Sequence, residues 1–344
     1  MTKNNVYVIG AGASKEANLP IGNELKADIS SLLDFNFDDF GRHLKKGDKK
    51  ILDSLQYHVT KDDGSYDMSA LLREASHTST ALPLAISIDN FIDAHKQNEN
   101  IAICGKLGII RSILMAEKKS LLNIKDATID LSLISKTWYI SFFQLLTENC
   151  NKEDLAERFK DITLIIFNYD RCVEHFLFHA LKIYYQVNDV EAAQLIKNIN
   201  IYHPYGSVGD LPWMNGNDAV DFGADPHPKK ILELSKQIKT FTEGTNPDSS
   251  EISLIREHMA RANKLIFIGF AFHKLNMKLI KISEHNNYES NQLECFATTF
   301  GISSNDVGII KSQIIDLYGR KIITSTLDAE CSDFFKEYWR SLSF

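Results

Sequence analysis

The chain has no C-x-x-C pair. Its five cysteines, Cys104, Cys150, Cys172, Cys295 and Cys331, are widely spaced and odd in number. That spacing excludes a disulfide framework and a four-thiolate zinc module, and no metal is expected. No stretch approaches the ~18–20 apolar residues that a membrane span needs. The opening MTKNNVYVIG lacks the basic-then-apolar pattern of a secretory signal, so a cytoplasmic protein without membrane contact is expected. Positive charge is not in excess either. The 38 Lys and Arg stand against 45 Asp and Glu, a net charge of −7, which argues against direct, broad binding to nucleic acid. Internal repeats and low-complexity tracts are also missing. What is there is an ordinary globular composition, 44% hydrophobic and 24% charged over 344 residues, enough for one large domain or two smaller ones.

Val6 to Ile9 reads as a buried strand, and it breaks into GAGASKEANLPIG. Beyond Pro20, the residues Leu25, Ile29, Leu32 and Leu33 recur at helical spacing. From about 35 to 160 the apolar stripes are helical and no strong strand is seen. Strands return at Ile162–Asp170, Ile201–His203, Leu265–Gly269, Leu293–Thr298 and Ile322–Ser325. Helical patterns lie between most of them, at 171–186, 250–263, 274–285, 305–317 and 329–341. Such alternation predicts a parallel sheet covered on both faces. The expected fold class is therefore α/β: a doubly wound parallel sheet with a large helical insertion after the first βα unit. The α/β domain takes 1–34 and 160–344, and the insertion takes 35–159. Two loops, about 204–228 and 242–250, interrupt the second part. Trp138, Trp213 and Trp339 read as core or loop anchors.

A strand that turns into a helix through Gly-x-Gly brings bare backbone N–H groups close to a ligand, and the helix N-terminus favours negative charge. The same glycines also suit a tight turn that binds nothing. A dinucleotide-dependent dehydrogenase fits poorly. Position 15, where a third glycine belongs, is Lys15, and the acidic candidates Asp28 and Asp34 fall on or just after a helix rather than at a strand end. Phosphate binding survives that comparison better than hydride transfer does. Asn168 and Asp170 in FNYD end a strand, where ligands of open α/β sheets bind. They could meet ribose hydroxyls, hold a water, or cap the helix that follows. His203 in YHPYGSVG precedes a glycine turn and is either structural or catalytic. FIGFAFHKLNMKL makes a third passage from strand through glycine to helix.

Taken in order, GAGAS with Pro20 six residues after Ser14, then N-x-D after a strand, then a His-containing glycine turn, then a late strand ending in Gly269, resemble the Rossmann-like sirtuin fold. The likeness covers the α/β core, about half the chain. The helical stretch from Ser87 onward resembles the bacterial sirtuin-like NAD⁺ hydrolases of anti-phage defence. Two departures stand out. The paired C-x-x-C module of the protein deacylases is missing, which turns the resemblance away from acyl-lysine substrates. The family's catalytic His directly precedes the glycine, a place held here by Tyr205, with His203 two residues earlier.

The resemblance implies NAD⁺ as substrate and cleavage of its nicotinamide–ribose bond. Gly10, Ala11, Gly12, Ala13 and Ser14, with Pro20 behind them, would hold the pyrophosphate through N–H groups and the Ser hydroxyl. Asn168 would orient a water or ribose hydroxyl, Asp170 would accept from the ribose or the amide, and His203, with Tyr205 as second choice, would take the proton. Gly206, Ser207, Gly269 and Phe270 would line the ribose and adenine end. Because draining NAD⁺ harms the host cell, the resemblance also implies control by homo-oligomers or a partner, a HerA-like ring ATPase in some relatives. The competing expectation is a module that binds NAD⁺ or ADP-ribose without cleaving it.

Overall fold

The computed structural model describes residues 4–39, 43–214, 219–239, 250–282, 293–319 and 322–344. The loop expected at 242–250 falls outside these residues except for Ser250, as does the end of the helix expected over 274–285.

The first part of the chain runs β1 (Asn5–Ile9), α1 (Ala11–Lys15), α2 (Gly22–Leu33), β2 (Asn36–Phe37), β3 (Leu44–Lys46), α3 (Lys49–Val59), α4 (Ser69–Ala81), α5 (Ile88–Ala94), α6 (Glu99–Lys119), α7 (Trp138–Thr147) and α8 (Leu155–Lys160). The second part runs β4 (Ile162–Ile166), α9 (Cys172–Tyr185), α10 (Asp189–Ile196), β5 (Asn200–Tyr202), α11 (Pro228–Ser235), α12 (Ser250–Ala260), β6 (Lys264–Ile268), α13 (Lys274–Ile280), β7 (Glu294–Thr298), α14 (Ser304–Tyr318), β8 (Ile323–Leu327), α15 (Cys331–Glu337) and α16 (Trp339–Leu342).

Among the described residues, six strands form one parallel sheet in the order β5-β4-β1-β6-β7-β8. Numbered by their place among these strands the order is 3-2-1-4-5-6, that of doubly wound dinucleotide-binding folds. β1 sits at the centre, and chain direction across the sheet reverses beside it, between β4 and β6. Side chains of a strand alternate between faces, and the central strands divide accordingly. Val6, Val8, Ile165, Leu265 and Phe267 join one core, with α2 to α6 and α11 to α14. Tyr7, Ile9, Leu164, Ile166, Ile266 and Ile268 join the other, with α1, α7 to α10 and α15. All five residues of β1 are buried, as a central strand covered on both faces requires.

The segment between β1 and β4 packs into both of these cores. Leu107 and Ile110 of α6 lie in the first, and Trp138, Phe142 and Leu145 of α7 lie in the second. It also holds a short antiparallel pair, β2 with β3, where the sequence shows no strand. Two and three residues are too few for a period-two pattern to register.

Among the described residues, no helix is long and apolar enough to cross a membrane.

Candidate functional site

The glycines after β1 meet the end of β6. A Cβ on Gly10 would lie 2.4 Å from the Gly269 carbonyl oxygen, and one on Gly12 would lie 2.8 Å from it. Gly269 itself has φ +56°, and a Cβ there would reach within 2.0 Å of the Ala13 nitrogen. The three glycines therefore let two strand ends close on each other at the switch point. That closure uses their donors. Gly10 N–H donates to Ile268 O (3.0 Å), Gly12 N–H to Gly269 O (2.9 Å), and Ala13 N–H to Gly10 O (3.0 Å). Of this loop, Ala11 N–H at the first position of α1 remains for a ligand, whereas the Ser14 hydroxyl accepts from Asn168 and hydrogen-bonds to Asp170.

The loop is held from behind by contacts with no local sequence signal. The Trp138 indole N–H donates to Ala13 O at 2.8 Å. The Glu16 carboxylate accepts from Trp138 N–H at 2.7 Å and Ser332 N–H at 2.8 Å, so one side chain of this segment caps both α7 and α15. Pro20 lines a separate cavity of about 460 Å³ with Lys15, Asp28 and Lys119.

Asn168 stands beyond the carboxyl end of β4 and is buried, 4% exposed. Its Nδ2 donates to Gly10 O (3.1 Å) and to Ser14 Oγ (2.9 Å), which ties β4 to the glycine loop. Its Oδ1 is buried with no hydrogen-bond partner among the described residues. Asp170 Oδ1 accepts the Cys172 N–H at 3.1 Å, the capping role that an Asx residue before a helix performs. Burial raises the Asp170 carboxyl above the usual range, while hydrogen bonding from Cys172 and Ser14 pulls the other way.

His203 lies just past β5, its side chain 15% exposed. Nδ1 faces Asn168 O at 3.1 Å, and Nε2 faces Glu174 Oε1 at 2.6 Å. Both partners are acceptors, a pattern that an imidazolium satisfies with both of its N–H groups. Burial pulls the ring down, but the Glu174 charge and the two hydrogen bonds outweigh it and hold its pKa above the ordinary value. Glu174, on the first turn of α9, is 2% exposed, and its Oε2 has no partner among the described residues. Sequence reasoning did not single out Glu174. Its spacing four residues after Asp170, one helical turn, was the available signal.

Tyr205 faces elsewhere. Gly206 N–H donates to His203 O at 2.8 Å, closing a turn rather than continuing a strand, so the two-residue alternation that would align Tyr205 with His203 does not apply. The Tyr205 hydroxyl donates to Asn276 Oδ1 at 2.6 Å, inside the opposite core. Gly206 has φ +75°, and a Cβ there would meet Gln237 O at 2.1 Å. Ser207 Oγ makes a long contact, 3.5 Å, with Gly209 O. The Phe270 ring packs on Phe167, their centroids 5.2 Å apart.

The structure thus joins Gly10, Ser14, Asn168 and His203 through one chain of hydrogen bonds, with Gly12, Gly269 and Phe270 against it. Tyr205 and Pro20 lie outside that chain. Beside it is a second missed feature. Arg171, 1% exposed, pairs with Glu117, 0% exposed, at 2.6 Å, and the same guanidinium donates to the carbonyls of Gly209, Asp210, Val220 and Asp221. It clasps residues 209–210 and 220–221 to α6. Among the described residues, no group of His, Cys, Asp and Glu is placed to hold a metal ion. No protein-family model matches the chain, and no curated protein matches it.

Proposed function

We propose that the chain is an NAD⁺ glycohydrolase that breaks the nicotinamide–ribose bond, and that it serves as a cytoplasmic anti-phage effector of the sirtuin-like kind. The observation that carries this reading is Asn168. It is locked by two donated bonds to Gly10 and Ser14, yet its Oδ1 is left buried and unpaired at the carboxyl edge of the sheet. Glu174 Oε2 is a second such acceptor nearby in the same network. Buried acceptors without partners are uncommon, and a hydroxyl-rich sugar or a water supplies the donors they lack.

In the proposed reaction water adds to the anomeric carbon, the C–N bonding pair leaves with the ring, and the pyridinium becomes neutral nicotinamide without needing an acid. Asn168 Oδ1 orients the water or a ribose hydroxyl. The released proton passes to the Glu174–His203 pair, which has an open lone pair at Glu174 Oε2. Asp170 contributes negative charge near the developing oxocarbenium. The pyrophosphate meets Ala11 N–H, since the Gly10, Gly12 and Ala13 donors are engaged, and it meets the Ser14 hydroxyl only in exchange for that group's bond to Asp170. Control by homo-oligomers or by a HerA-like ring ATPase belongs to the same proposal, because unregulated turnover would deplete the cell.

The engagement of both His203 nitrogens favours a second reading, a regulator that binds NAD⁺ or ADP-ribose without cleaving it. Nicotinamide release and NAD⁺ affinity, measured on the same protein, separate the two. Hydrolysis predicts release that falls about 10²–10⁴-fold in Asn168→Ala and in His203→Ala. Release within a few-fold of wild type in both folded variants removes the mechanism, and tight binding without release selects the regulator.

A further inference from the structure

α9 carries a second concave surface that shares no residue with the Asn168 cluster. It is a cavity of about 710 Å³, within the size range of small-molecule sites. Two pairs of flat rings form its walls. Trp213 lies parallel to Phe178, centroids 4.9 Å apart and planes at 0°, and His175 lies on Phe222 at 4.0 Å and 7°. His179, Gln194 and Lys197 also line it, with the carboxylates of Asp189 and Asp221, and Val190, an apolar residue 66% exposed, stands at its rim.

The polar atoms of this cavity are distinctive. The Trp213 Nε1–H is buried and has no acceptor among the described residues, and an unpaired buried donor is costly to leave so. His175 Nε2 is paired with the Leu122 carbonyl at 3.1 Å. Burial pushes His175 down to about 3 and His179 down to about 4, so both are neutral at physiological pH. The walls therefore offer flat ring faces, one unsatisfied donor and no histidine charge, and Lys197 is outnumbered by Asp189 and Asp221. Two carboxylates disfavour a phosphate, whereas a neutral ring that stacks and accepts one hydrogen bond matches the rings and the donor.

We propose that this cavity binds a neutral planar heteroaromatic ring of the nucleobase class, its carbonyl or ring-nitrogen acceptor set on the Trp213 N–H. The site does not depend on the hydrolase reading, and its test is separate. Adenosine, inosine, cytidine and uridine are titrated into the full chain by calorimetry. At least one binds saturably. Trp213→Phe, which keeps a ring but removes the donor, weakens that binding about 10-fold. Asn168→Ala, in the other site, leaves it unchanged. Should Trp213→Phe fail to fold, as judged by its melting curve, Val190→Trp at the exposed rim takes its place and abolishes binding by filling the mouth. Failure of all four nucleosides to bind, or any other pattern across these variants, overturns the proposal.

Discussion

Two buried polar clusters meet α9, and they are finished differently. In the Arg171–Glu117 clasp the guanidinium spreads its donors over the carboxylate and four carbonyls, and each Glu117 oxygen accepts two N–H groups. In the Asn168–Glu174–His203 cluster, Asn168 Oδ1 and Glu174 Oε2 are left over. Both clusters are out of water, so both bear the desolvation cost of polar groups. The first recovers that cost within the fold. The second recovers it only when something else enters. A completed network reads as architecture, and an incomplete one beside a strand end reads as a site.

The sharpest way to break this contrast is Glu117→Leu, which strands a buried guanidinium. It is expected to cost about 3–5 kcal/mol by urea unfolding, and a cost near zero would make the clasp ornamental. Gly269→Ala comes next. Its Cβ would press on the Ala13 nitrogen in a left-handed backbone, at a cost of about 1–3 kcal/mol in the same assay. Glu174→Gln probes the open cluster through charge rather than packing. In the wild type the His203 pKa is raised, so its stabilising contribution is complete below the unfolded value of ~6.5 and is lost as pH rises through the folded value. Without the carboxylate the ring loses its two largest upward contributions, so its pKa falls. The variant then gains less stability on acidification than the wild type does. NMR titration of the ring and melting temperature against pH read both effects, and an unmoved ring pKa would dissolve the pair. The smallest effect is expected of Ser207→Ala, within about 0.5 kcal/mol and with nicotinamide release unchanged, because its hydroxyl makes only a long turn contact.

Much of the fold was legible in advance. The buried runs at 6–9, 162–166 and 265–268 show themselves as strands because a central parallel strand is apolar on both faces, and the helical stripes between them require crossovers. The site was legible in part. Strand ends carrying Gly, Asn and His converge because parallel strands put their carboxyl ends on one edge. The use of those residues was less visible. The glycines read as open donors, but Gly10 and Gly12 spend their N–H groups on Ile268 and Gly269, more than 250 positions along the chain. Tyr205 read as facing the same way as His203, until the turn at Gly206 sent it into the other core.

From its own pattern, then, the chain settles the period of its longer elements, the parallel sheet and the edge at which Asn168 and His203 stand, since these follow from local propensity and from which positions are apolar. Folding alone decides which donors are already taken, which carboxylate meets His203, and which buried atoms are left without a partner. Hydrogen bonds between residues distant in sequence depend on positions in space to within tenths of an ångström, and no local spacing encodes that.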